Sequence, residues 1–122
     1  MGFSVDDVSF TLNNVFITSA DGTGVVASHL AKGRLINMEV SDCADSGVYV
    51  QREGVVAFTG GRTSIHHNGH WPTRDIPWKT RDDYGMKNNG PGSKMVLEFP
   101  LTKESISHNH EGDRNWDSTF DA

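Results

Sequence analysis

Two stretches of this sequence superimpose without a gap at an offset of 23 residues: LNNVFITSADGTGVVAS (Leu12 to Ser28) and LINMEVSDCADSGVYVQ (Leu35 to Gln51). Leu12 aligns with Leu35, Asn14 with Asn37, Ile17 with Val40, Thr18 with Ser41, Ala20 with Cys43, Gly24 with Gly47, Val25 with Val48 and Ala27 with Val50. Large apolar, small and turn positions therefore recur in kind. A period of roughly 20 to 25 residues is shared by leucine-rich repeats and by coils of β-strands. The first needs leucines and an Asn at fixed spacing plus a helical segment, and these are missing here. Each repeat instead holds three short apolar-alternating runs bounded by Gly, Asp, Ser or Asn. In the second repeat they are Leu35 to Val40, Gly47 to Val50 and Val55 to Phe58. That is strand chemistry with turn punctuation. Three strands per repeat predict three parallel sheets around an apolar interior, with strands of successive repeats paired in register. The alternation assigns faces: Val48 and Val50 inward with Tyr49 outward, and Val25 and Ala27 inward.

A second pair lies further on. VVAFTGGRTSIHHN (Val55 to Asn68) aligns with VLEFPLTKESISHN (Val96 to Asn109) at an offset of 41. Phe58 then meets Phe99, Ile65 meets Ile106, and His67-Asn68 meets His108-Asn109. The excess over one repeat is an insertion, residues 69–83, GHWPTRDIPWKTRDD, after which Tyr84-Gly85-Met86 sits where Ser46-Gly47-Val48 sat. Asn14 over Asn37 suggests an amide ladder at a turn, or two independent turn residues.

Composition agrees. Among 122 residues there are 13 glycines and only 35% apolar residues, which suits short strands and many turns better than a helical bundle. The net charge of −5 with interspersed signs argues against a nucleic-acid partner. No apolar run is long enough to span a membrane. The single cysteine, Cys43, excludes a disulfide framework and a multi-thiolate zinc site. It reads as a small buried side chain, with a nucleophile paired to a nearby histidine as the alternative. Met1 to Asp7 has neither the positive region nor the long apolar core of a secretory leader, and the compartment stays open.

With SGVYV (Ser46 to Val50), TGV (Thr23 to Val25), TSIHHN (Thr63 to Asn68) and ESISHN (Glu104 to Asn109) in hand, the chain resembles the right-handed parallel β-helix repeat family, the pectin-lyase-like superfamily. The resemblance covers roughly residues 8–68 and 84–112. It implies an all-β, right-handed parallel β-helix of about three to four coils with a long loop insertion. Residues 1–122 form one module, with 113–122 an incomplete coil or a tail. Family members usually have more coils, so the resemblance implies further coils or a partner covering the ends of the stack. It does not carry one function, because the family includes lyases, hydrolases, epimerases, adhesins and tail fibres.

The resemblance also directs attention to particular side chains. Lyases of the family use an Arg or Lys base beside carboxylates that hold Ca²⁺. The nearest material is Asp42 and Asp45 with Arg52 and Arg34, although Asp is also an ordinary turn residue. Family hydrolases use clustered Asp, for which Asp21 with Asp45, or Asp82 with Asp83, are the options. His66, His67, His70, His108 and His110 invite a metal or acid–base reading, against the simpler one that the dipeptide before Asn is a polar turn. In the insertion, Trp71, Trp78 and Tyr84 beside Arg74, Lys79 and Arg81 suit stacking on sugar rings and pairing with acidic groups, or else fold back as an apolar cover. The expectation is a non-catalytic module for carbohydrate or surface recognition, or a structural one. The alternative is part of a polysaccharide lyase or glycoside hydrolase. No cofactor is expected, with Ca²⁺ at the Asp42 and Asp45 turn as the alternative.

Overall fold

The computed structural model describes residues 2–19, 22–69, 84–89, 92–98, 101, 105–107 and 109. Among these there are twelve short strands and no α-helix: β1 (Phe3–Asp6), β2 (Ser9–Asn13), β3 (Phe16–Thr18), β4 (Val25–Ser28), β5 (Lys32–Ile36), β6 (Glu39–Ser41), β7 (Val48–Gln51), β8 (Val55–Thr59), β9 (Ser64–His66), β10 (Met86–Asn89), β11 (Lys94–Leu97) and β12 (Ile106–Ser107). They form three four-stranded sheets, ordered β1-β4-β7-β10, β2-β5-β8-β11 and β3-β6-β9-β12, and the pairings between neighbours are parallel. Consecutive strands thus go to the first, second and third sheet in turn. Every fourth strand returns beside the one three before it, so one circuit adds one strand to each sheet.

The 23-residue offset is the pairing register. Val25 pairs with Val48, Leu12 with Leu35 and Ile17 with Val40. Across the insertion, Val48 pairs with Met86 and Ile65 with Ile106, as the repeat predicts. The alternation also holds: Val25, Ala27, Val48 and Val50 have no solvent exposure, and Tyr49 is half-buried. With Leu35, Val40, Val56, Phe58, Ile65, Met86, Met95 and Ile106 they form one apolar interior. Each such aliphatic side chain contributes about 1.5–3 kcal/mol by leaving water. Cys43 lies in it, fully buried, in accord with the small-apolar reading.

Two expectations need correction. Phe58 pairs with Leu97, not Phe99, because the second sheet is offset by 39 residues there while the third keeps 41. Between the paired positions, the chain takes nine residues from Leu97 to Ile106 but seven from Phe58 to Ile65. A slip of two residues leaves every side chain on its own face, so the apolar pattern could not expose it. Second, the run Leu35 to Val40 is not one strand. It breaks into the end of β5 and the start of β6 at Asn37, whose φ is +51°. Of the two readings of Asn14 and Asn37, the structure shows independent turn residues: the Asn14 amide donates to Asn13, and the Asn37 Oδ1 accepts the Arg62 N–H.

Candidate functional site

The corners between sheets place most of the polar residues that the sequence singles out. At the first-to-second corner Asp7, His29 and Arg52 have φ of +51°, +50° and +51°. At the second-to-third corner Asn14 and Asn37 have +59° and +51°. At the third-to-first corner Ser19, Asp42 and His67 have +60°, +55° and +56°. Each corner thus stacks left-handed residues, a conformation in which Asn and Asp are enriched because a short polar side chain can bond locally. Asp42, Arg52 and His67 therefore sit where the backbone reverses.

The third-to-first corner also holds a buried amide column. Asn68 and Asn109 are fully buried. The Asn68 Oδ1 accepts the Cys43 N–H at 3.1 Å, and its Nδ2 donates to the Val40 carbonyl at 3.1 Å and to the Asn109 Oδ1 at 2.9 Å. Asn109 repeats the pattern one circuit later, accepting the Asn68 N–H and donating to the Ile65 carbonyl. Each amide closes the turn of the circuit before it, so that turn's backbone groups are satisfied away from water.

Asp42 and Asp45 share this corner, Asp42 exposed and Asp45 half-buried. Arg52 lies at the opposite end of β7, a strand about 13 Å long. Its Nη1 donates to His29 Nε2 at 2.7 Å, and His29 Nδ1 lies 3.3 Å from Asp6 Oδ1. Arg34 projects from the second sheet and donates to Glu98 at 2.7 Å. The carboxylates and the arginines considered for base chemistry therefore occupy different corners and faces. Tyr84 is half-buried, its N–H held by the Ser46 Oγ at 2.9 Å. Trp71, Arg74, Trp78, Lys79 and Arg81, with Asp21, Asp82, Asp83, His70, His108, His110, residues 70–83 of the insertion and the 113–122 segment, lie outside the described residues. Among the described residues no group of three or more His, Cys, Asp or Glu is arranged to hold a metal ion, and no helix is long and apolar enough to cross a membrane.

Two surface hollows went unnoticed in the sequence. One, of about 450 Å³, lies on the outer face of the second sheet, bordered by Ser9, Thr11, Lys32, Arg34, Val55 and Ala57. The other, of about 500 Å³, lies at the second-to-third corner, lined by Asn14, Phe16, Asn37, Glu39, Arg62 and Ser64. Beside it His66 Nε2 donates to Glu39 Oε1 at 2.9 Å, and His66 and His67 are joined Nδ1 to Nδ1 at 2.7 Å. The available signal was the outward phase of each strand once the register is known. Phe16, Glu39 and Ser64 share one outward column across three circuits. The chain matches no protein-family model, and no curated protein or solved structure is significantly similar to it.

Proposed function

We propose that this chain is a right-handed parallel β-helix module of the pectin-lyase-like kind that recognises carbohydrate on its outer faces without cleaving it. The cyclic order of parallel strands through three sheets supports a β-helix. The right hand follows from the strong chiral preference of crossovers between parallel strands of one sheet. The observation that carries the recognition reading is the outer face of the second sheet. There Lys32 and Arg34 flank a shallow hollow with the hydroxyls of Ser9 and Thr11 and the small side chains Val55 and Ala57. Its volume lies within the range of small-molecule sites, about 300–1,000 Å³. It runs across three circuits, so an extended glycan can lie along it. Lys32 and Arg34 stand two residues apart on one strand, about 6.6 Å, and beside the Glu98 pair the exposed Arg34 keeps further N–H donors, so that it and Lys32 suit carboxylate or sulfate groups. The separation of Asp42 and Asp45 from Arg52 supports the non-catalytic part of the reading.

The test is a panel of neutral and acidic oligosaccharides measured for binding and for cleavage. Binding without new chain ends is expected. Release of unsaturated or reducing ends replaces this reading with that of a carbohydrate-active enzyme. The double substitution Lys32→Ala, Arg34→Ala is expected to weaken binding of hexagalacturonate at least tenfold. Its stability cost stays within about 0.5 kcal/mol, since Arg34 and Glu98 form a surface pair. Unchanged affinity moves the site off this face.

A further inference from the structure

We infer that the hollow at the second-to-third corner is a separate subsite for one neutral pyranose ring, seated on Phe16 and fixed by Glu39 and Arg62. This rests on the carbohydrate-recognition reading but uses a different face. Phe16 is 72% exposed, the most exposed large apolar side chain among the described residues. Covering a side chain of this kind removes apolar surface from water and so favours binding. It stands at the start of β3, next in its column to Glu39 and then Ser64. Strand spacing puts the Phe16 and Glu39 backbones about 4.8 Å apart, so a ring lying on the phenyl face brings its hydroxyls to the carboxylate. Glu39 is held in place through Oε1 by His66. Among the described residues Oε2 has no protein partner and remains an acceptor for a sugar hydroxyl. The Arg62 guanidinium has none either, while its backbone N–H is anchored on Asn37 Oδ1 at 3.2 Å. Asn14, Asn37 and Ser64 complete a wall of neutral donors and acceptors. An apolar platform with hydroxyl-binding groups on its rim matches the two sides of a pyranose, its C–H face and its equatorial hydroxyls. The Glu39 carboxylate and the Arg62 guanidinium together leave the wall without net charge, which suits a neutral ring, whereas a uronate is better matched by the net positive second-sheet face.

The experiment titrates the whole chain with cellohexaose, mannohexaose and hexagalacturonate, following affinity by calorimetry and the Phe16 environment by NMR. At least one neutral hexamer is expected to bind and to shift the Phe16 ring resonances. Phe16→Ala is expected to weaken it at least tenfold with an unchanged melting midpoint, Phe16→Trp to keep it, and Glu39→Ala to weaken it severalfold. Lys32→Ala with Arg34→Ala is expected to leave the neutral hexamer unaffected. Neutral binding that survives Phe16→Ala overturns the subsite. So does binding of hexagalacturonate alone, which leaves the broader recognition reading standing. Binding of none of the three overturns both.

Discussion

At the scale of single residues, Asn68 shows how one amide can set the path of the backbone. Its Oδ1 accepts the Cys43 N–H of the preceding circuit, and its Nδ2 donates to Asn109 of the next. Truncation leaves the Cys43 N–H and the Val40 carbonyl without the side-chain partners that they have at this buried corner. An orphaned buried group costs about 1–3 kcal/mol. Asn68→Ala is therefore expected to destabilise the fold by about 2–4 kcal/mol, measured by denaturant unfolding, and a loss below about 1 kcal/mol contradicts the amide's role. The Asn of TSIHHN was visible in the sequence as a recurrence. Its role was not, because the partners lie 25 and 28 residues earlier in the chain and 41 later. The same distance in sequence concealed the Glu39–His66 pair.

At the scale of elements, the strands are too short to stand alone, and their packing is shared between circuits. Gly33 of β5 pairs with Phe10 of β2 and Val56 of β8, at an inward position. The Phe10 ring fills the space where a Gly33 side chain would stand. A large residue in one circuit thus compensates a missing one in the next. Gly33→Val displaces the Phe10 ring and is expected to cost about 1–3 kcal/mol by overpacking. The double variant Gly33→Val, Phe10→Ala is expected to recover part of that loss, and additivity of the two costs in unfolding measurements contradicts the packing. A second close approach occurs at Gly47, where a Cβ would meet the Gly85 carbonyl at 2.7 Å, which explains the recurrence of glycine before β4 and β7. Strand existence and facing were legible from period-two alternation. Boundaries were less so: a left-handed Asn37 inside an apolar run is invisible to hydrophobicity, since Asn serves strand ends and turns alike.

At the scale of the whole molecule, burial grades along the order of circuits. The inward residues Phe3, Val5, Phe10, Leu12, Val15 and Ile17 of the first circuit are only partly buried, whereas Leu35, Val40, Val48, Val50 and Phe58 are at 0% exposure. β1, β2 and β3 form one edge of the three sheets and β10, β11 and β12 the other, but the inward Met86, Met95 and Ile106 of that second edge are buried. In such an arrangement each circuit is stabilised by its neighbours, so stability is not uniform. Amide hydrogen exchange is expected to be fastest in β1–β3 and slowest in β5, β7 and β8, by an order of magnitude or more in protection. Uniform protection contradicts this gradient. Much of the architecture was determined locally, because pleating enforces a period of two, turn residues punctuate it, and the 23-residue recurrence can be read along the chain. What only the tertiary structure decided are the relations between circuits: the 39-residue register of the second sheet, the Asn68–Asn109 column, and the outward columns that open hollows beside Arg34 and Phe16. These depend on which residue lies over which, and a side chain's neighbours one circuit away carry no signature in its own local sequence.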